Sequence, residues 1–137
     1  MTYNKAGLGS VGSYQVSGRP WLTGSVDALA AGTEDKISFP SVAKAVTVIN
    51  TNTDGNDIHV HFNSKTATDV SGGLHYLALN ALNDAFTFAV KCKEIYISAP
   101  SWGGGAASYT VVAELTGINT NEMFVLTGSG LTTIDGT

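Results

Sequence analysis

Short apolar segments with alternating polar positions recur along almost the whole chain, separated by Gly, Asn, Asp, Ser and Thr. Two clear examples are KAVTVIN at residues 44–50 and DIHVHFN at residues 57–63. Alternation with a period of two is typical of a strand with one buried face, whereas no segment shows the period of a long amphipathic helix. The pattern therefore predicts an all-β fold.

The remaining strands are expected to be short and evenly spaced. Pro20 cannot donate a hydrogen bond in a central ladder, so the first strand is predicted at an edge, and another is expected to end at Pro40. Asp54-Gly55 predicts a hairpin that joins residues 44–50 to 57–63, and residues 27–33 are expected to be a loop or a helical turn. The further strands are predicted near residues 13–23, 36–39, 74–80, 85–92, 94–99, 108–115 and 122–126.

Eight or nine strands at a spacing of about ten residues indicate two packed sheets. The 137 residues leave room for one domain. We therefore expect a single-domain antiparallel β-sandwich at residues 13–127, of which a jelly roll is one version. A flexible arm at residues 1–12 and a Gly/Thr-rich tail at 128–137 would flank it. The inward-facing side chains are expected to be Val46, Val48, Ile58, Val60, Phe62, Phe86, Phe88, Val90, Ile95, Ile97, Val111 and Ala113, with Leu77 and Leu79 depending on register.

The charge distribution excludes several classes of partner. Only 13% of the residues are charged, the formal net charge is −4, and the seven Lys and Arg residues are scattered. Lys91 and Lys93 alone lie close together, and two cations cannot neutralise the many phosphates that nucleic-acid binding involves. The chain has no apolar run of membrane-spanning length and no signal-peptide pattern near its N-terminus. We expect no nucleic-acid or membrane partner, and synthesis in a cytoplasm.

The single cysteine, Cys92, lies inside an apolar run and permits no intramolecular disulfide. No local base or helix terminus is expected to activate the thiol, so the pattern predicts a buried, inert side chain.

His59 and His61 are predicted on one outward side of a strand, as in the His-x-His pairs of zinc sites. A zinc site needs at least a third ligand, and His75, Asp57 or Glu94 could supply one. Two outward polar positions explain the pair equally well. We therefore expect no metal within one chain, while coordination across a symmetry axis stays an open alternative.

Three other motifs match functional patterns in their residue types but lack the flanking structure or the residue that the function needs. The segment GLGSVG at residues 7–12 lacks the strand and helix of a dinucleotide site, and NTNTDG at 50–55 lacks the glutamate that completes a calcium loop. The segment SVAK at 41–44 lacks the helix that would bring Lys44 onto Ser41. We expect no cofactor, no catalytic residue and no enzymatic activity.

The aromatic and aliphatic residues next to flexible segments are the best candidates for contact with partners. Trp21 and Trp102 both adjoin loop signals, and buried aromatic anchors dominate many interfaces. The predicted interface residues are Tyr3, Leu8, Tyr14, Trp21, Trp102 and Phe124.

Several segments of the sequence resemble segments of a known protein family. They are VGSYQVSGRPWLTGS, ISFPSVAKAVTVINT followed by DIHVHFNS, KEIYISAP and MFVLTGSGLTTID. They resemble small β-sandwich virion proteins of tailed bacteriophages, above all those of cyanophages and other aquatic phages, over most of the chain. The resemblance implies a capsid decoration (cement) protein that bridges neighbouring coat subunits in a virion assembled in the host cytoplasm. It also implies binding to the major capsid protein or other virion proteins as a homo-oligomer, with a trimer favoured.

Other functions remain open from the sequence. Tail, collar and baseplate components share the resemblance. A carbohydrate-binding β module would use Tyr76, Trp102 and Tyr109 as a stacking platform, and a metal-dependent enzyme of the jelly-roll type would use His59, His61 and His75.

Overall fold

The computed structural model describes residues 19–30, 32–53, 57–64, 75–99, 106–127 and 131. The predicted all-β antiparallel fold is confirmed. The predicted arm at residues 1–12 lies outside the described residues, as does the predicted tail at 128–137 apart from Leu131. The described elements are β1 (Arg19–Leu29), β2 (Glu34–Asn50), β3 (Ile58–His61), β4 (Leu77–Leu79), β5 (Ala85–Phe88), β6 (Cys92–Ser98), β7 (Ala107–Leu115) and a 3₁₀ helix (Thr120–Glu122).

The long strand β2 organises the sheet because it changes partners along its length. Residues 34–38 pair with β6, whereas residues 43–50 pair with β7 on one edge and residues 46–49 with β5. The pairing register shifts between Ser38 and Ala43 on the β6 side. The strand order is β1-β7-β2-β6-β3-β4, with β5 also on β2. We call β4, β3, β6 and residues 34–38 the β6 half, and β1, β7, β5 and residues 43–50 the β7 half.

The inner surfaces of the two halves pack against each other as in a β-sandwich. Tyr109 of the β7 half donates a hydrogen bond to Asp35 of the β6 half, and Asn50 of the β7 half donates one to Leu79 O of the β6 half. Alternate positions of the strands supply one shared hydrophobic core, so the predicted inward pattern holds for most strands. The predicted residues that are fully buried are Val46, Val48, Ile58, Val60, Leu79, Ile95, Ile97, Val111 and Ala113.

One predicted core residue is wrong, and four lie at the margin of the core. Phe86 is 49% exposed because β5 is short and pairs only with β2 among the described strands. The residues that are only partly buried against the core are Phe62, Leu77, Phe88 and Val90.

The predicted strand end at Pro40 is wrong, since β2 runs through this residue. Pro40 falls within the register shift, where the ladder needs no donor from it. The chain after β7 secures this bend: Val42 N–H donates to Ile118 O over 2.9 Å, and Thr116 N–H donates to Val42 O over 2.9 Å. A small second cluster of Val42, Ile118 and Met123 packs there.

The predicted hairpin between residues 44–50 and 57–63 is also wrong. Both edges of β3 are occupied, by β4 and by β6, so β2 does not pair with it. Asn50 Oδ1 accepts from Asn52 N–H over 2.8 Å, and Asn52 Oδ1 accepts from Ser108 N–H over 2.5 Å. These buried amides hold the chain as it leaves β2, while residues 54–56 lie outside the described part.

Smaller differences occur at the element ends. β1 is an edge strand that contains Pro20, as predicted, but it continues through residues 27–29, which were expected to be a loop. The predicted strand at residues 122–126 is wrong: residues 123–127 form no strand, and Glu122 ends a 3₁₀ helix that Asn119 caps by accepting from Asn121 N–H over 2.9 Å. Cys92 belongs to β6 rather than to the strand at 85–88. Within the described ranges, no helix has the length and apolarity to cross a membrane.

Candidate docking surface

Among the described residues, the outer surface of the β7 half carries no charged side chain in its central rows. The register sets Leu22, Val112, Thr47 and Thr87 side by side across four strands, and Gly24, Thr110, Ile49 and Ala85 in the next row. A charge first appears at Glu114, one row nearer the end, opposite Pro20. We call this surface the uncharged face; its residues are Leu22, Gly24, Val26, Thr47, Ile49, Ala85, Thr87, Thr110 and Val112.

Aliphatic exposure on the uncharged face is concentrated on the edge strand β1. Leu22 is 67% exposed and Val26 is 81% exposed. The two residues alternate with Trp21 and Thr23, whose positions face the core side. Exposed aliphatic side chains on one strand are unusual where a strand edge is left to solvent, because edges are commonly protected by charge. β1 therefore contributes most of the exposed apolar surface of the uncharged face.

Gly24 allows β1 to lie close to its neighbour. A Cβ at this position would lie 2.7 Å from Tyr109 O on β7. Real side chains do not tolerate such a distance from backbone, so only glycine lets the two strands approach this closely here. Two threonines of the face bond each other, with Thr47 Oγ1 and Thr87 Oγ1 2.7 Å apart.

The outer surface of the β6 half has the opposite character, because it carries paired charges. Lys36 Nζ lies 2.9 Å from Glu94 Oε2, and Tyr96 Oη donates to the same carboxylate over 3.2 Å. The hydrogen bond and charge of Glu94 raise the pKa of Lys36. Burial, followed by the charge of Glu94, raises the pKa of Tyr96. Lys36 and Glu94 form an ion pair within the chain, so neither charge needs a partner protein to balance it.

His61 was expected to face solvent, and that expectation is wrong. The ring is 2% exposed because the chain after β3 folds back over it: Asn63 O lies 2.5 Å from His61 Nδ1. A carbonyl oxygen can only accept, so Nδ1 carries a proton, and the other ring nitrogen, Nε2, is hydrogen-bonded to Ser98 Oγ over 3.0 Å. This Ser–His pair has the contact that a nucleophile and base would need, but Ser98 is itself 6% exposed. The pair therefore satisfies two buried polar groups.

The other two histidines lie near the end of the β6 half. His59 stacks on Tyr76 with ring centroids 4.0 Å apart, and its burial, with a smaller effect of His61, lowers its pKa against the opposing effect of Asp57. His75 borders an open cleft of about 300 Å³, and its Nε2 is the one buried side-chain polar atom without a hydrogen-bond partner among the described residues. In the part of the chain that the structure describes, no three His, Cys, Asp or Glu side chains are grouped as metal ligands.

Cys92 is buried, as predicted. Its side chain is 1% exposed, and burial together with the charge of Glu94 raises the pKa of the thiol to about 12. A thiol in this state has almost no thiolate at neutral pH, so it is a poor nucleophile and metal ligand.

The predicted interface residues fall into three groups. Trp21 is half-buried and packs edge-on against Phe39 with ring centroids 5.5 Å apart, so it belongs mainly to the core. Phe124 is 66% exposed, next to Val125 at 43%. The predicted interface residues outside the described part of the chain are Tyr3, Leu8, Tyr14 and Trp102.

Sequence reasoning missed the exposed residues Leu22 and Val26. The signal was present, because strict alternation from a core-facing Trp21 puts both on the opposite side of the strand. Tyr109 cannot stack on a carbohydrate with Tyr76 and Trp102, because it is 5% exposed and its hydroxyl donates a hydrogen bond to Asp35.

In comparisons with known proteins, no protein family, no curated protein and no solved structure matches this chain.

Proposed function

We propose that this chain is a non-enzymatic structural protein of a tailed-phage virion, acting as a capsid decoration protein that bridges neighbouring coat subunits. The observation that supports a docking role is the uncharged face of the β7 half, with Leu22 67% and Val26 81% exposed on its edge strand. That the docking occurs on a virion is inferred from the resemblance of the sequence to phage virion proteins.

The size of the uncharged face favours attachment to a repeating surface. Four strands about 4.8 Å apart and about five residues of 3.4 Å each give a patch of roughly 300 Å². A stable two-protein contact buries about 800 Å² on each partner. A single contact through this face would therefore be weak, whereas many copies joined to one shell gain affinity from simultaneous binding.

The arrangement of polar groups also favours docking over catalysis. The His61–Ser98 pair is closed off within the sheet, and Glu94 is neutralised by Lys36. Buried polar groups that satisfy one another stabilise a rigid body and leave little to activate a substrate. A rigid domain with one uncharged docking surface is suited to binding the outside of a capsid.

Co-expression with the major capsid protein encoded in the same genome tests the proposal. We expect the chain to sediment with assembled shells. Thr87→Lys, at an exposed position of the uncharged face, should reduce the bound copies at least about tenfold, because a charge would be buried unpaired at the contact. Asn80→Lys, at an exposed position beyond β4, is the matched control and should bind as the wild type does.

Two outcomes would contradict this assignment. The first is a folded chain that never sediments with shells and is missing from the proteins of purified virions. The second is immunogold labelling that marks the tail, collar or baseplate instead of the head, which would support that alternative role. Equal loss of binding in Thr87→Lys and Asn80→Lys would show that the uncharged face is not the contact surface.

A further inference from the structure

The strand β1 has one strand neighbour among the described residues, β7, which pairs with only one of its two edges. An extended strand with an unoccupied edge presents backbone N–H and C=O groups that can pair with another strand. Residues 20–26, PWLTGSV, contain no charge and only one proline, at their start. Pro20 and the register shift between Ser25 and Leu29 protect the two ends of β1, whereas residues 21–25 between them carry no charge and no proline.

The order of residues around Gly24 is self-complementary. In an antiparallel pair of identical strands centred on Gly24, Leu22 of one copy lies opposite Val26 of the other, and the contact occurs twice by symmetry. Both side chains project from the outer surface, where they are 67% and 81% exposed in the single chain. Directly opposed aliphatic residues stabilise strand pairs. The same register sets Thr23 opposite Ser25.

We propose that two copies of this chain associate through their β1 strands, antiparallel and centred on Gly24. The pairing would join the two β7 halves into one continuous eight-stranded sheet in the order β5-β2-β7-β1-β1-β7-β2-β5. The two uncharged faces would then form a single surface of twice the width. This inference does not depend on the virion role, since the purified chain alone tests it.

The charges of β1 are compatible with this arrangement. Arg19 lies at one end of the strand and Asp27 near the other, so an antiparallel pairing brings no like charges opposite each other. The contact is small: the eleven residues of β1, of about 3.4 Å each, across a sheet about 10 Å thick, give at most roughly 370 Å² per copy. Because a stable dimer needs about 800 Å² per copy, we expect a dissociation constant on the order of 10–100 µM.

Sedimentation equilibrium of the purified chain between low and high micromolar concentration measures this association. We expect a reversible monomer–dimer equilibrium. Val26→Lys should raise the dissociation constant at least about tenfold, because an exposed lysine on an edge strand opposes pairing. Leu82→Lys is the matched control: Leu82 is 49% exposed and adjoins β5, at the far side of the β7 half, so its dissociation constant should stay within about twofold of the wild type.

Disulfide cross-linking tests the register. Opposed residues in an antiparallel pair have Cα atoms about 4.5–5.5 Å apart, which suits a disulfide. A mixture of Leu22→Cys and Val26→Cys chains should therefore form a cross-linked heterodimer under mild oxidation. Either variant alone should not, because identical positions would be four residues, about 13 Å, out of register. The wild type, with only the buried Cys92, controls for other links.

Monomer at every concentration would overturn the proposal, whatever then covers the edge. A dimer that is unaffected by Val26→Lys, or cross-links that form as readily in each variant alone, would also overturn it. A contact with two-fold symmetry closes after two copies, so a stable trimer in solution would require a different surface and would contradict it as well. Failure to bind capsids would leave these measurements unaffected and would count only against the decoration role.

Discussion

Tyr109 on β7 donates a hydrogen bond of 2.7 Å to the carboxylate of Asp35 on β2, and this contact spans the space between the two halves of the sheet. Tyr109 is 5% exposed, so its hydroxyl has little access to water. Burial, and then the hydrogen bond and charge of Asp35, raise the pKa of Tyr109. The contact therefore stabilises the packing of one half on the other only while the hydroxyl keeps its proton.

Tyr109→Phe should lower the free energy of unfolding at pH 7 by about 1–3 kcal/mol, since Asp35 loses a buried donor. Because the pKa is raised by folding, the contribution of the hydroxyl is complete below about pH 10 and is lost as the pH rises above it. Urea unfolding at pH 8 and pH 10.8 should show a smaller alkaline loss in Tyr109→Phe than in the wild type. Tyr76→Phe is the control and should keep the wild-type loss; equal losses in all three proteins would refute the assignment.

Asn50→Ala should destabilise the chain strongly. The side chain of Asn50 is fully buried, donates to Leu79 O over 2.7 Å and accepts from Asn52 N–H over 2.8 Å. Removing it takes a hydrogen-bond partner from two buried backbone groups, Leu79 O and Asn52 N–H, at a cost of about 2–4 kcal/mol in the free energy of unfolding. Asn80→Ala, at an exposed position, should stay within about 0.5 kcal/mol. Urea denaturation of both variants checks this, and similar stabilities would contradict the role of Asn50.

His59 should make the fold sensitive to mild acid. Burial lowers the pKa of His59 below the ordinary histidine value of about 6.5, so below that pH the unfolded chain binds a proton more readily than the folded chain. Stability from this group is present above pH 6.5 and is lost as the pH falls through the lowered pKa. His59→Phe keeps a ring against Tyr76 and should lose less stability between pH 7.5 and 5.5 than the wild type. An NMR titration midpoint of His59 at or above 6.5 would contradict this prediction.

Cys92 should resist thiol reagents in the folded protein. The side chain is 1% exposed, and its pKa is raised to about 12, so both access and thiolate content are low. Reaction with Ellman's reagent at pH 8 should be at least about a hundredfold slower than in 8 M urea, where one thiol per chain should react fully. Fast labelling without denaturant would show that β6 opens readily.

The strands were largely predictable from the sequence because alternation is a local property. The predicted segment at 108–115 differs from β7, Ala107–Leu115, by one residue. Pairing is a non-local property, and here the local signals misled. Asp54-Gly55 indicated a hairpin, yet β3 pairs with β4 and β6. Pro40 indicated a strand end, yet a register shift and the contact of Val42 with Thr116 carry β2 past it.

The candidate surface was less predictable, for physical reasons that differ by residue. Trp21 was expected at an interface because it adjoins loop residues; its half-buried ring packs on Phe39, and its part in an interface stays a prediction. The burial of His61 depends on Asn63 folding back onto the ring, which no periodic pattern encodes. Leu22 and Val26 could have been recognised, since they alternate with Trp21 on the same strand.

The shared strand β2 has a consequence for how the chain acquires its structure. Its partners β5, β6 and β7 all follow it in the sequence, so β2 stays without its complete ladder until the ribosome has made residues up to about Leu115. Ordered contacts between such distant segments form slowly. The two halves should therefore fold only once β7 has been made, in a single cooperative step, and hydrogen exchange of amides in both halves should report one common opening event.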